Sequence, residues 1–415
     1  MSIPRITEPV EPRRHSGDPR PESGGSRVSR PPARALLDGF DVSVYRVAPD
    51  DKSAEAAFAP DPTTVLVVEA RAASEVGVGY GFTHPCAASH VEQVLAPALI
   101  GADAFDVALA HDRMLRVARA IGDLGVMGVA AVDIALWDLK ARLLGVSLID
   151  LIGAHRSRAP VCGSPESYAA QHMASQLVGF VKSGFARIRT HLTGDLAEDV
   201  RRVSAARAAI GDGVRLTVDA DGAYSERSAL SLAERVAEFD VACLEDPVAS
   251  EDFEGLRFVR ERCPRTLAIA AGKWGTGVSY FRRLLEPRAT DAVRLDATRC
   301  LGISGFLKVA ALAAARGVRA SLVRAPAVHA HLCCAAETAD YAEYAPEEAR
   351  VESLLFDGVL EPKDGYLEPD RTRPGLGLAV RRVEARHHLA GTARIRATPT
   401  LVPTPTRSGG AEPEP

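Results

Sequence analysis

The chain has 415 residues, enough for more than one domain, and with 47% hydrophobic residues it can bury a large core. A net charge of −4 gives no footprint for nucleic acid or an anionic membrane, and no apolar run reaches the ~18 residues of a membrane-spanning helix. The first residues lack the apolar core of a secretory signal. Seven scattered cysteines, with Cys333 and Cys334 adjacent and no Cys-x-x-Cys pair, point to reduced thiols in a cytoplasmic protein rather than to a disulfide or zinc framework.

Residues 1–36 are rich in Pro, Arg, Ser and Gly without an apolar period, and are expected to form a disordered tail. The stretch 391–415 has the same character. Between 37 and 155 the pattern is α+β. Strands are expected around Val42–Tyr45, Thr64–Ala70 and Gly77–Gly81. Helices follow, the clearest over Met127–Leu144, where Val129, Val132, Leu136, Leu139 and Leu143 form one apolar stripe and Gly145 suits a C-cap.

From 156 to 355 short apolar strands alternate with helical stretches, as in βα units around a parallel sheet. The expected strand tips are Ser164, His191, Asp219, Glu245, Lys273, Asp296 and Val323, at near-constant intervals. That regularity suits a (β/α) barrel. No Gly-x-Gly-x-x-Gly follows the first strand, against a dinucleotide fold. Parity puts Arg189 with His191, Cys243 with Glu245, Ala271 with Lys273 and Arg294 with Asp296. The tips can therefore converge on the mouth, where barrels keep their chemistry.

Four stretches resemble one family. Asp133-Ile134-Ala135-Leu136-Trp137-Asp138 resembles its long helix joining cap to barrel, and Val218-Asp219-Ala220-Asp221 resembles its metal-ligand strand. Leu295-Asp296-Ala297-Thr298 resembles strand six, and Pro374-Gly375-Leu376-Gly377 resembles the closing segment. The family is the mandelate racemase/muconate lactonizing enzyme type of the enolase superfamily. The resemblance implies an α/β fold: a modified (β/α)7β TIM-type barrel (156–355) under an α+β capping domain (37–155), with residues 356–390 returning to the cap. It also implies abstraction of an α-proton from a small carboxylate, Mg2+ as cofactor and a homo-oligomer. Sites of this superfamily set a Lys or His base beside Mg2+ that stabilises the enediolate.

Carried over position by position, the resemblance makes Asp219 and Glu245 metal ligands. Lys273 stands where the third carboxylate belongs. An ammonium repels a cation rather than ligating it, so Lys273 is expected to bridge Asp219 and Glu245 in place of magnesium. The alternative is that Asp221 or Asp246 supplies the missing oxygen while Lys273 swings aside. Arg189 and His191 fall where the family has Lys-x-Lys: Arg189 as a cation for a substrate carboxylate, His191 as a base or as a structural partner of Glu245 or Asp219. Asp296 matches the acid behind the family's opposite base, but Val323 occupies that base's place, so two-base racemisation is disfavoured. His329 and His331 are expected to be structural. Glu343 matches an acid that bonds the substrate carboxylate. His84, in a cap loop, and Trp274, beside Lys273, are weaker candidates.

The expected activity is a one-base lyase or isomerase, dehydratase-like or racemase-like, with weakened or absent Mg2+ dependence. A protein that keeps the fold as a binding or assembly unit is the alternative. A third reading makes Lys273 a Schiff-base nucleophile, which requires a depressed pKa.

Overall fold

The computed structural model describes residues 34–49, 62–118, 122–165 and 170–397. The expected tails fall outside them, except for 34–36, where Ala35 is buried in the cap core and Leu36 bridges to Asp103, and for 391–397.

The cap begins as an antiparallel meander of β1 (Leu37–Val47), β2 (Thr63–Ala72) and β3 (Glu75–Phe82). Alternation divides its side chains between two cores. Phe40, Val42, Val44, Leu66 and Val68 face the cap helices, while Tyr45, Val65, Val67, Tyr80 and Phe82 join the barrel's core. The long helix extends further back than its stripe predicted, over Gly122–Leu144. Its backbone lies directly on β3, which the Gly-x-Gly pattern permits. A Cβ on Gly77 would stand 2.2 Å from the Ala135 carbonyl oxygen, and one on Gly79 2.1 Å from that of Ala131.

Polar residues of the same helix bind the cap to the rest of the chain. Asp138 is fully buried and accepts N–H bonds from Val78 at 2.7 Å and Leu376 at 2.5 Å. Asp133 accepts the Ser304 N–H at 2.8 Å, and the Trp137 indole donates to the Ser304 hydroxyl at 2.9 Å. The motif residues that resemble the family's long helix are thus the joints to the strand-six loop and the closing segment.

The barrel consists of β4 (Ala159–Gly163), β5 (Arg187–His191), β6 (Arg215–Asp219), β7 (Val241–Glu245), β8 (Ala268–Ala271), β9 (Ala292–Leu295), β10 (Arg319–Leu322) and β11 (Ala339–Tyr344). All pair in parallel, and β11 pairs with β4 to close the ring. Each is followed by a helix, including Pro346–Leu355 after β11. All seven cysteines are free thiols. Among the described residues no helix is long and apolar enough to cross a membrane.

One expectation is corrected. Residues 391–396 are not tail but part of a strand, Leu389–Arg396, antiparallel to β1. Ile395 packs on the cap core and Arg396 pairs with Asp41 at 2.5 Å. Ala, Gly and Arg carry most of this strand, so its alternation is too weakly apolar to register as β in the sequence.

The closeness of β3 to the long helix makes Gly79→Ala an overpacking change. It should lower the unfolding free energy by about 1–3 kcal/mol in a urea titration, whereas Gly179→Ala, which meets no atom within 4 Å and has no positive φ, should cost less.

Candidate active site

The parallel register brings the strand tips together. His191 lies opposite Asp219, and Asp219 opposite Glu245, so neighbouring tips are separated by about one strand spacing, ~4.8 Å. Asp219 and Glu245 have no exposed surface. Carboxylates so placed need compensating charge.

Arg189 supplies most of it. Two residues before His191 and on the same face, it is only 3% exposed. Its Nε donates to Glu245 at 2.8 Å, and its Nη1 donates to Glu343 at 2.8 Å and to the Ser164 hydroxyl at 3.1 Å. Its Nη2 donates to Asp219. Arg189 is therefore bound to three of the protein's own carboxylates rather than held out for one from a substrate.

Lys273 is displaced from its expected role by the same fact. It does not bridge Asp219 and Glu245. Its Nζ lies 2.5 Å from Asp219 and 2.8 Å from Asp221, with Asp246 at 3.9 Å. The planar fork of Arg189 already joins Asp219 to Glu245, and the other Glu245 oxygen faces the Arg294 Nε at 3.2 Å. Arg294, which sequence reasoning used only for parity, is a functional neighbour that it missed. It is fully buried, donates to Glu343 at 2.8 Å and to the Ser321 hydroxyl at 2.8 Å. A charged residue in the middle of Ala292-Val293-Arg294-Leu295 was the available signal.

Three cations, Arg189, Arg294 and Lys273, thus oppose Asp219, Glu245 and Glu343, and Asp221 and Asp246 also face Lys273. Burial alone would raise Asp219, but Arg189 and Lys273 outweigh it and hold the carboxyl well below its usual range. Burial would likewise raise Glu343, and Arg189 with Arg294 brings it down to about 2. Glu245 goes up, its burial outweighing Arg294 and Arg189. Asp246 is pushed up to about 7 by burial and by Asp219. Burial would depress Lys273, but Asp219 raises it, so the ammonium stays charged. That removes the basis for a Schiff-base lysine, and Trp274 beside it does not lower its pKa.

His191 is half-buried at the edge of this cluster. Its Nε2 accepts from Arg189 Nη1 at 2.9 Å, and its Nδ1 lies 3.5 Å from Asp219. Burial, then the Arg189 charge, lowers its pKa to about 4, so the ring is neutral at pH 7. Asp296 lies elsewhere. It is 1% exposed and accepts the Thr298 N–H at 2.8 Å and hydroxyl at 2.6 Å, away from the cavity lining. His329 is buried and structural: Nε2 accepts the Ala297 N–H at 2.9 Å and Nδ1 donates to the Arg324 carbonyl at 2.5 Å. His84 is exposed, outside the cavity lining, with Nδ1 2.9 Å from the Cys86 thiol.

The mouth encloses a cavity of about 310 Å³ bordered by Ser164, Arg189, His191, Asp221, Lys273, Trp274, Val323 and Glu343. Arg324 and Glu348 also border it, and neither stood out in the sequence, because each follows a strand in a stretch without period.

Two family models match this chain: "Mandelate racemase / muconate lactonizing enzyme, N-terminal domain" over residues 43–153, and "Enolase C-terminal domain-like" over 172–385. The chain belongs to the mandelate racemase/muconate lactonizing enzyme family. L-talarate/galactarate dehydratase of Salmonella typhimurium is 30% identical over 333 residues, 77% of this chain and 81% of that protein. A mandelate racemase/muconate lactonizing enzyme-like protein from Rubrobacter xylanophilus is 40% identical, with a TM-score of 0.81 over 86% of this chain and all (100%) of that one. L-talarate dehydratase from Polaromonas sp., solved with Mg and L-glucarate, is 26% identical, with a TM-score of 0.78 over 88% of this chain and 100% of its own.

In this family member the residues at the metal position do not fit a divalent cation as arranged. Each of Asp219 and Glu245 already faces two cations of the protein. Among the described residues no group of three or more His, Cys, Asp or Glu side chains is disposed to hold a metal. Replacing Arg189 with Met strands buried carboxylates, so it should destabilise the fold by about 3–5 kcal/mol, measured by chemical denaturation. A loss under ~1 kcal/mol would mean the cluster is far better hydrated than its burial implies.

Proposed function

We propose that this family member is a lyase or isomerase that removes the α-proton of a small carboxylate with a single base, His191, and that it needs Mg2+ weakly or not at all. The observation that carries this reading is a neutral imidazole on the cavity wall, beside a position where the protein's own cations stand in for a metal ion. A dehydratase fits best. The sugar acids named for the relatives are the substrates to test first.

The tautomer follows from the hydrogen bonds. Nε2 accepts from Arg189, so the proton sits on Nδ1, facing Asp219. The Nε2 lone pair is the base, and the Arg189 hydrogen bond to it breaks as it turns to the substrate. When it takes the α-proton, Arg189 Nη1 still has Ser164 and Glu343 as partners. The C–H electrons move onto the substrate carboxylate as an enediolate. Lys273 has spent two of its three N–H donors on Asp219 and Asp221 and has one left for that oxygen. The enediolate then expels the β-hydroxyl, which leaves as water with the proton carried by His191, and the enol becomes a 2-keto acid. Val323 stands where a second base would be, and His329 is tied to Ala297 and Arg324. Return of a proton to the opposite face therefore has no agent, which speaks against racemisation.

A second reading is that the chain keeps the fold as a binding or assembly protein. The engagement of Arg189 by three carboxylates favours it. Turnover decides between the two.

Incubating the protein with a library of hydroxy and sugar acids in deuterated buffer should show α-proton exchange or loss of water for at least one acid. His191→Asn should slow that reaction by about 10²–10⁴-fold; unchanged exchange would remove His191 as base, and no reaction with any acid would favour the binding protein. Because the neutral ring is the active form and its pKa is lowered to about 4, kcat/KM should rise with pH through about 4 and be level at neutrality. A rising limb near the ordinary ~6.5 would contradict the buried environment. Calorimetric titration with Mg2+ should give no tight isotherm, and EDTA should leave turnover intact.

A further inference from the structure

We propose that Arg324, at the tip of β10, is the residue that binds the substrate carboxylate, with Glu348 as its hydrogen-bonding companion. This rests on the reading that the cavity receives a small carboxylate, and it gives Arg324 the role that Arg189 cannot fill.

The two arginines on the cavity wall differ in what they touch. Arg189 is 3% exposed and donates to Asp219, Glu245, Glu343 and Ser164. The Arg324 side chain is 38% exposed, and among the described residues it makes no hydrogen bond. Its nearest acidic oxygens are Glu348 at 3.5 Å and Asp296 at 3.9 Å. A guanidinium has five N–H donors in a planar fork that matches a carboxylate edge to edge, and here the fork borders a cavity and faces its nearest protein acids without a hydrogen bond to either.

The charges point the same way. The Arg189, Arg294 and Lys273 cluster faces Asp219, Asp221, Glu245 and Glu343, so it has no cation to spare. On the wall formed by Arg324, Asp296 is shared with Arg299, whose Nε lies 3.8 Å away. Glu347, which also borders the cavity, is bound by Arg350. Glu348 is pushed up to about 8 by burial, against the opposing pull of Arg324, and so is mostly uncharged at pH 7. Its Oε2 is buried without a hydrogen-bond partner. The wall therefore has a cation in excess and a carboxyl group able to donate one O–H. A carboxylate seated on the Arg324 fork would satisfy both.

The backbone holds Arg324 in place for this. Arg324 and Ala325 have φ of +65° and +39°, a left-handed pair without glycine, and the buried His329 fixes the Arg324 carbonyl from behind. His329 then acts as a positioning residue. With the carboxylate at Arg324 and the base at His191, the α-carbon lies between two residues that both border the same cavity.

The test uses the full chain and p-hydroxyphenylglyoxal, which modifies accessible arginines, with peptide mass mapping. Arg324 should be labelled while Arg189 and Arg294 are not. Galactarate, tartrate or lactate should slow labelling of Arg324, and chloride or inorganic phosphate at matched ionic strength should not. Labelling insensitive to every acid, or protection by phosphate as strong as by any acid, overturns the assignment. With an acid that turns over, Arg324→Met should raise KM by about 10- to 100-fold, and Arg324→Lys should recover part of the loss. Glu348→Ala, which removes the donor, should also raise KM, by less than Arg324→Met does. Protection without any α-proton exchange would refute the proposed reaction and leave the anchor standing. Exchange with an unchanged KM in Arg324→Met would refute the anchor and leave the reaction standing.

Discussion

The site depends on one guanidinium. Arg189, from β5, binds Asp219 on β6, Glu245 on β7 and Glu343 on β11, so a single side chain ties together strand ends from both sides of the barrel mouth. Arg294 completes the arrangement by meeting Glu245 and Glu343 from β9. Buried charges are costly unless paired and hydrogen-bonded, and here each acid meets its partners at the tip of a strand whose register is already set by the sheet. In this chain the positive charge beside those carboxylates comes from side chains.

Two histidines show how much environment decides. His191 and His329 are both neutral at pH 7, since burial lowers the pKa of each. His329 is fully buried and spends both nitrogens on backbone groups, whereas His191, held by Arg189 and near Asp219, also borders the cavity. Only the second can exchange a proton with something that enters. Residue type and strand position do not distinguish them; access and hydrogen-bond partners do.

Much of this was legible in the sequence. The strand tips recur at a regular interval because each βα unit needs a similar length of chain, and the parity of Arg189 with His191 and of Arg294 with Asp296 follows from the two-residue period of a strand. The positions of Asp219, Glu245 and Lys273 at the mouth were readable for the same reason. Their pairing was not. Whether Lys273 meets Glu245 or Asp221 depends on how far Arg189 reaches, and side-chain reach leaves no periodic trace. Arg324 and Glu348 lie just beyond β10 and β11, where no pattern marks one residue above another. The strand at Leu389–Arg396 was missed because pairing with β1, not apolar character, holds most of it in place.

The joined acids and bases also bear on how such a site could change through descent. Putting a carboxylate back at position 273 while Arg189 remains would add a negative charge beside Asp219, Asp221 and Asp246 without opening the gap that Arg189 fills between Asp219 and Glu245. Removing Arg189 first would leave Asp219 with Lys273 alone, and Glu245 and Glu343 sharing Arg294. Neither single step crosses to a metal-binding arrangement without passing through a poorly compensated interior. The cluster therefore resists piecemeal substitution, and the side chains that can change one at a time are those outside it, such as Arg324 and Glu348 on the cavity wall.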